Sequence, residues 1–382
     1  MSARGRLLAG LALILALALA APASAAGPGR FRLSQADPVP LAYFQGLTHS
    51  PGGSWFFDGV TVGLYRTDRE LRRQAANPSV LPPAVTALGF NHIGDPGFDR
   101  REGGRVLLPM ECFVPGAPDG GNTCGRGAIG VADPRTLQLR YVVALDPADI
   151  AKAMWAEVSP DGRLLWTSSG DDLIAYRTSD LVAGLTTPLR PVERLVGAVP
   201  PSGVTGAAFY RGRLLLAGQA SGPLEVWSVD VRHRGRVRLQ IELPHVVAES
   251  EGLDVLPARG GVLHWLLTPF PPGGGTPTYG TGHSELLTFV PRADARLRVA
   301  VLSARHAGGG RTRLVVRVCQ RYAGAVHAVA GARVRAGGAK AVTGADGRAV
   351  LRPRTPRSRP LHVVATKQRL LAGRATVRDG SH

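Results

Sequence analysis

The stretch Met154–Asp180, MWAEVSPDGRLLWTSSGDDLIAYRTSD, decides how the rest of the chain is interpreted. It consists of three short apolar runs separated by two turns. In the first turn, SPDG at 159–162, the proline presets φ and the glycine tolerates positive φ; the second turn is GDD at 170–172. Three or four short antiparallel strands joined by tight turns are typical of one blade of a β-propeller.

Similar units recur along the chain. Five segments, starting at Tyr43, Ala87, Met154, Gly203 and Glu249, each pass from a polar residue into a β-rich run. The matched polar residues are Gln45, His92, Glu157, Thr205 and Glu251, which are separated by 47, 65, 48 and 46 residues. A period in the mid-forties suits a four-stranded blade, and the one long gap contains the loop between Cys112 and Cys124. We therefore expect an all-β chain with a five-bladed propeller, or a six-bladed one if one blade is degenerate. Phe31–Leu33 is expected to join the last blade and close the ring.

The amino-terminus has the pattern of an export signal. Arg4 and Arg6 precede an apolar run, 7–21, and Ala23-Ser24-Ala25 fits a cleavage site. A retained membrane anchor is the alternative, although no other apolar run approaches the length of a spanning helix. We predict a signal peptide at 1–25 and a secreted or cell-envelope location.

Three cysteines are consistent with an oxidising compartment. Cys112 and Cys124 flank a loop, PGAPDGGNT, with nothing apolar to hold it, so we expect them to form a disulfide. Two free thiols are the alternative interpretation.

Charge is distributed unevenly, which indicates two domains. The chain has 46 Lys+Arg against 28 Asp+Glu, yet by count the segment 295–382 holds 19 basic and two acidic residues, leaving residues 27–294 near neutrality. We predict a propeller at 27–294 and a small basic β-sandwich at 295–382. Its positive charge favours anionic lipid or wall polymer as a partner, and a solubility surface is the alternative. Nucleic acid is disfavoured, since Tyr322 is the segment's single aromatic residue and it has no recognised nucleic-acid-binding motif.

Short motifs resemble known families. FQGL at 44–47 resembles the start of glutamine cyclotransferase propellers, and SEGLDV at 250–255 resembles the gluconolactonase/regucalcin and calcium-dependent phosphotriesterase groups. The latter resemblance implies a divalent cation held by a glutamate and Asn/Asp partners, and only Glu251 matches that pattern. The pattern GARVR…AVTGADGRAVLRPR after residue 330 resembles Ig-like or carboxypeptidase-regulatory-like sandwiches, which implies an accessory role.

If the repeats are real, their matched residues converge at the mouth of a central channel. We predict ligand contacts from Gln45, Asn91, His92, Trp155 and Thr205. We predict metal ligands in Glu157, Glu251 and Asp95, with Ca²⁺ as the favoured ion because it takes oxygen ligands from several chain positions. A hydrogen-bonded channel lining without an ion is the alternative.

Two functions follow from this site. The first is a binding protein whose propeller holds a small ligand or cation while its basic domain contacts the envelope. The second is a metal-dependent hydrolase, of lactonase, esterase or phosphodiesterase type, in which the cation would activate water. The sequence contains no G-x-S-x-G, H-E-x-x-H or P-loop motif.

Overall fold

Strands dominate the computed structural model. It describes residues 31–377 apart from 60–61, 115–121, 220–221, 234–236, 244–245, 247, 257–261, 270–282, 292–295, 323–324, 355–359, 368–369 and 371. The predicted signal peptide, residues 1–25, lies outside the described residues.

Five sheets follow one another along the first part of the described chain, which is the predicted propeller. In each, consecutive strands pair antiparallel from the inside outward, as short turns such as SPDG dictate. Blade 1 contains β2 (Gly46–His49), β3 (Trp55–Gly59), β4 (Gly63–Thr67) and β5 (Arg73–Asn77). Blade 2 contains β6 (His92–Ile93), β7 (Gly97–Asp99), β8 (Arg105–Glu111), β9 (Ala128–Ala132) and β10 (Leu139–Leu145). Blade 3 contains β11 (Glu157–Val158), β12 (Leu164–Ser169), β13 (Asp172–Arg177) and β15 (Glu193–Leu195).

Blades 4 and 5 complete the ring. Blade 4 contains β16 (Gly206–Tyr210), β17 (Arg213–Gly218), β18 (Leu224–Val229) and β19 (Arg238–Leu243). Blade 5 contains β20 (Ala248–Leu256), β21 (Val262–Pro269), β22 (His283–Pro291) and, as its outer strand, β1 (Phe31–Pro40). β1 pairs antiparallel with β22 along its length, so the predicted closure of the last blade by the start of the chain is confirmed. This pairing covers the edge that β22 would otherwise expose.

The innermost strands neighbour one another in a closed order, β2–β7–β11–β16–β20 and back to β2. Apolar side chains fill the spaces between blades; Trp155 and Trp166 of blade 3, for example, share a cluster with Leu214 and Leu216 of blade 4. β14 (Gly184–Leu189) leaves blade 3 and pairs parallel with β10, which links blades 2 and 3. The five sheets are therefore arranged radially around one axis.

Helices are short in the described residues: α1 spans Pro83–Thr86, and single 3₁₀ turns span Leu41–Tyr43 and Thr178–Asp180. None of the helices in this part of the chain has the length and apolar character needed to cross a bilayer.

The predicted disulfide is confirmed. Cys112 and Cys124 are bonded, with their Cα atoms 5.7 Å apart, immediately after β8. The loop between them lies largely outside the described residues. Cys112 is fully buried in the core of blade 2, so the bond anchors that loop to the propeller.

The carboxy-terminal part is a β-sandwich, as predicted. One sheet contains β23 (Arg298–His306), β24 (Thr312–Tyr322), β25 (Ala325–Ala328) and β28 (Arg348–Leu351). The other contains β26 (Arg333–Ala336), β27 (Ala339–Val342), β29 (Leu361–Thr366) and β30 (Gly373–Val377). The alternation of arginine with Val or Ala in β26 buries Val334 and Ala336 and exposes both arginines. Both sheets contribute to one apolar core.

Candidate functional site

Backbone, rather than an open channel, occupies the propeller axis where the inner strands cross. A Cβ added at Gly94 would lie 1.9 Å from the carbonyl oxygen of Met154. A Cβ at Gly252 would lie 2.6 Å from the amide nitrogen of Leu47. Only glycine allows such close approach of two backbones. The two ends of the axis are thus separate sites.

Asp95 lies at this crossing and joins the blades. Its Oδ1 accepts a hydrogen bond from the amide of Leu47 at 3.0 Å, and its Oδ2 accepts from the amides of Ala207 at 3.0 Å and Leu253 at 3.3 Å. These amides belong to blades 1, 4 and 5. Burial raises the pKa of Asp95 well above its usual range, and the three amide donors oppose that shift.

The backbone of Asp95 forms hydrogen bonds with blade 3. Its amide donates to Met154 O at 3.0 Å, and Ala156 donates to its carbonyl at 3.0 Å, which adds blade 3. Asp95 therefore contacts every other blade. Both carboxylate oxygens accept protein donors, and the role of Asp95 as a metal ligand stays a prediction.

Three of the predicted residues share one end of the axis, which we name the strand-start end. We call the residue of each blade whose amide donates to Asp95 its axial residue; in blades 1, 4 and 5 these are Leu47, Ala207 and Leu253. Gln45, Thr205 and Glu251 each lie two positions before the axial residue of their blade. Gln45 Nε2 donates to Glu251 Oε2 at 3.0 Å, and Thr205 Oγ1 lies 2.8 Å from Ser250 Oγ. Burial raises the pKa of Glu251 well above its usual range. These hydrogen bonds join side chains of blades 1, 4 and 5 at this end, while both carboxylate oxygens of the buried Asp58, beside Gly46, have no hydrogen-bond partner among the described residues.

Asn91 and His92 lie beside this end but bond within blade 2. Asn91 exchanges two hydrogen bonds with the backbone of Phe113, at 2.8 and 3.0 Å. His92 Nδ1 lies 2.7 Å from Glu111 Oε1 in a buried pair. Ligand binding by Gln45, Asn91, His92 and Thr205 stays a prediction.

The alignment of Glu157 with Glu251 is wrong by three residues. In blade 3 the axial residue is Ala156, so the position equivalent to Glu251 is Met154. Glu157 lies beyond the axis, in the same register as Asp254 of blade 5, and faces the opposite end. Trp155 is fully buried and donates to Ser168 Oγ at 2.8 Å, so it is a core residue and not the ligand contact that we predicted.

The opposite end, which we name the strand-end mouth, is a cavity of about 550 Å³. It is formed where β2, β7, β11, β16 and β20 end, and by the turns that follow β7, β11 and β16. Side chains with charge or aromatic character surround it, namely His49, Phe98, Asp99, Arg100, Arg101, Glu157, Asp161, Phe209, Tyr210, Arg211 and Asp254.

Three titratable groups form the floor of this mouth. His49 Nδ1 lies 2.5 Å from Asp254 Oδ2, and both side chains are buried. Glu157 Oε1 accepts from the amide of Phe209 at 2.9 Å. Burial, and then the charge of Asp254, raise the pKa of Glu157 to about 8, so this carboxyl is protonated near neutral pH. Burial also lowers the pKa of the neighbouring His264 to about 4.

The metal ligands that we predicted do not converge. Asp95 is at the axis, Glu251 is at the strand-start end and Glu157 is at the strand-end mouth. Across the residues that the structure describes, no three His, Cys, Asp or Glu side chains are grouped to hold an ion. These residues do not fit the Ca²⁺ site that the regucalcin-like resemblance implies.

Sequence reasoning missed His49, Asp254 and Arg211. The inner strands can be aligned in the sequence by the glycine that precedes the axial residue. This glycine occurs in QGLT at 45–48, TGAA at 205–208 and EGLD at 251–254. Aligned on that glycine, blade 3 reads MWAE at 154–157, which places Glu157 beside Asp254. Trp155 stands where the glycine would be, and this obscured the match.

Comparisons with known proteins show no family for this chain and find distant structural similarities. No protein-family model matches the chain, and no curated protein sequence matches it. Glutaminyl cyclase of Myxococcus xanthus has 13% identity over 68% of this chain and 97% of its own, with a TM-score of 0.41. An exo-β-1,3-galactanase of Phanerochaete chrysosporium has 11% identity over 90% and 94%, with a TM-score of 0.45. The β-propeller domain of Cps50 (Swd1) from Myceliophteria thermophila has 12% identity over 84% and 100%, with a TM-score of 0.32.

Identities and TM-scores at this level carry no argument about activity. The chain is a β-propeller protein on the evidence of its own strand order.

Proposed function

We propose that this propeller is a binding protein that holds a small polar ligand in the strand-end mouth. The observation that carries the proposal is the cavity of about 550 Å³, which is in the range of small-molecule sites. Its floor combines a protonated carboxyl, Glu157, with the His49–Asp254 pair, and its walls include Phe98 and Tyr210. A few polar groups within a partly aromatic wall fix the orientation of a ligand.

A fragment screen by ligand-observed NMR tests this proposal. Val158 lines the mouth and also packs against the adjacent core, so Val158→Trp adds bulk at the mouth, whereas Met154→Trp, on the same segment, adds the same side chain away from the mouth. We expect fragments that bind the wild type to lose at least about ten-fold in affinity with the first variant and to be retained by the second. Equal loss in both variants, or retention in both, would contradict the location.

We further propose that the sandwich contacts an anionic surface of the cell envelope and that the protein is exported. Exposed cations face each other across neighbouring strands: Arg335 opposite Lys340, and Arg305 opposite Arg313. Like charges directly opposite are destabilising in a sheet. An anionic partner would convert this repulsion into attraction.

One row shows the arrangement most clearly. Lys340, Arg335, Val364 and Arg374 are successive partners across the four strands of one sheet, so three cations share one line. Co-sedimentation of the full chain with phosphatidylglycerol vesicles tests the proposal. We expect binding to weaken with salt and with Arg335→Glu, while Thr376→Glu, at the end of the neighbouring row, has a smaller effect. Binding that is indifferent to salt would remove the electrostatic account.

A further inference from the structure

The turn between β16 and β17 has an unfavourable residue at the lip of the strand-end mouth. Tyr210 pairs with Arg213, so Arg211 and Gly212 form a two-residue hairpin loop. Both have positive φ, +49° and +76°, which is the type I′ geometry that Asn-Gly adopts most easily. Arginine in the first position costs conformational energy because its Cβ crowds the backbone.

Burial does not offset this cost. Leu137 also has positive φ, 59°, but its side chain is fully buried in the core of blade 2. Arg211 is exposed, and its guanidinium lies over the ring of Tyr210 at 5.1 Å. A strained residue that contributes little packing is a reason to look for a function of its side chain.

Arg211 lies where two cavities meet. It lines the strand-end mouth together with Arg100, and it lines an adjacent cavity of about 250 Å³ together with Arg213 and Arg238. Within the described residues, neither Arg100 nor Arg211 forms an ion pair with a carboxylate. The mouth therefore has two guanidinium groups that no salt bridge holds, although Arg100 lies near enough to Glu157 to oppose the rise of its pKa.

Three of the four carboxylates that line the mouth have partners other than Arg100 and Arg211. Asp99 is bound by Arg101, at 2.8 Å, and by Arg105. Asp254 is paired with His49. Asp161 is exposed at the rim, and its turn holds it through Ser159 Oγ at 2.6 Å and the amide of Arg163 at 3.2 Å.

We propose that the strand-end mouth binds an anion, a carboxylate or phosphate group held between Arg100 and Arg211. The remainder of the ligand lies against Phe98 and Tyr210 over the floor of the mouth. Guanidinium forks match the planar or tetrahedral oxygens of such groups. This inference rests on the proposed binding function and names the ligand's charge.

The test separates charge from shape. Malonate and its neutral isostere malonamide are titrated against the full chain, with inorganic phosphate as a second anion, and the amides of Tyr210, Arg211 and Gly212 are followed by NMR. We expect both anions to shift these resonances and malonamide to bind at least about ten-fold more weakly than malonate. Malonate binding without phosphate binding would assign a carboxylate ligand, and the reverse would assign a phosphate.

Arg211→Asn is the informative variant. Asparagine fits the turn better, so we expect the melting temperature to rise by about 2–4 °C while malonate affinity falls about ten-fold or more. Arg73→Gln, on the outer strand of blade 1, removes a charge far from the mouth and should leave malonate affinity unchanged. Binding of neither anion, binding of malonamide as tightly as the anion that binds, or an affinity for that anion unchanged in Arg211→Asn, would overturn the inference. If neutral fragments still lose binding in Val158→Trp, the proposed binding function survives that failure.

Discussion

The two ends of the propeller axis differ in how their polar groups are satisfied. At the strand-start end, Gln45 bonds Glu251 and Thr205 bonds Ser250, so side chains from three blades hold one another. At the strand-end mouth, Glu157 accepts from the amide of Phe209 and faces a cavity, and neither Arg100 nor Arg211 forms a salt bridge in the described residues. The difference is that hydrogen bonds join three blades at the strand-start end, whereas the strand-end mouth contains the cavity in which we propose that a ligand binds.

The largest expected effect comes from replacing Asp95, which lies between the two ends of the axis. Asp95→Ala leaves three buried amides, those of Leu47, Ala207 and Leu253, without an acceptor. Each unsatisfied buried donor costs about 1–3 kcal/mol, so we expect a loss of roughly 3 kcal/mol or more in the free energy of unfolding. Urea denaturation measures it. Asp161→Ala, in an exposed turn, is the control, and an equal loss in both variants would show that Asp95 does not join the blades.

The disulfide is expected to have the next largest effect. Cys112 follows Glu111, whose carboxylate holds His92 near the strand-start end. Replacing both Cys112 and Cys124 by serine opens a short loop and should cost about 2–3 kcal/mol by denaturant unfolding. Fragment binding at the strand-end mouth should be retained; its loss would mean that the two ends are coupled.

The pH dependence of stability sharpens the comparison at Glu157. Its pKa is about 8 in the folded protein against an ordinary value of 4.5, so above pH 4.5 the unfolded chain releases a proton that the folded chain keeps. Stability therefore falls as pH rises towards 8, and Glu157→Gln should remove that part of the fall. One pKa unit corresponds to about 1.4 kcal/mol, so between pH 6.5 and 8 the difference is up to about 2 kcal/mol, less what solvent in the cavity screens.

Thermal unfolding of the wild type and Glu157→Gln at the two pH values measures this difference. Glu193→Gln, on the exposed edge strand β15, is the matched control and should follow the wild type. Parallel pH profiles for wild type and Glu157→Gln would mean that the carboxyl is ionised in the folded protein.

The smallest expected effect is at the strand-start end itself. Thr205→Val removes one hydroxyl bonded to Ser250, which still accepts from Trp265 Nε1 at 3.0 Å. We expect a loss of about 1 kcal/mol in stability and no change in fragment affinity. A large change in fragment affinity would place the ligand at this end, as the sequence alone had suggested.

Periodicity was enough to predict the architecture. Turn chemistry at 159–162 and a repeat in the mid-forties predicted five blades, and Phe31–Leu33 was correctly assigned to the last blade. Turn residues and repeat spacing can be recognised from residues that lie close together in the sequence. The disulfide was accessible for the same reason, since its cysteines flank one loop.

The site required information that is not local. A shift of three residues in blade 3 moved Glu157 from one end of the axis to the other, and Trp155 in place of a glycine concealed the shift. The role of Asp95 depends on amides from three other blades, which no pattern around residue 95 reveals. Residues that act through contacts distant in the chain can be found only once the register of every inner strand is known.

A crystal structure of the full chain soaked with a diverse fragment set tests the central claim most directly. The account predicts that bound fragments cluster between Glu157, Arg211 and Asp254, with Asp95 keeping its three amide donors beneath them. Fragments clustered instead around Gln45, Thr205 and Glu251 would contradict it.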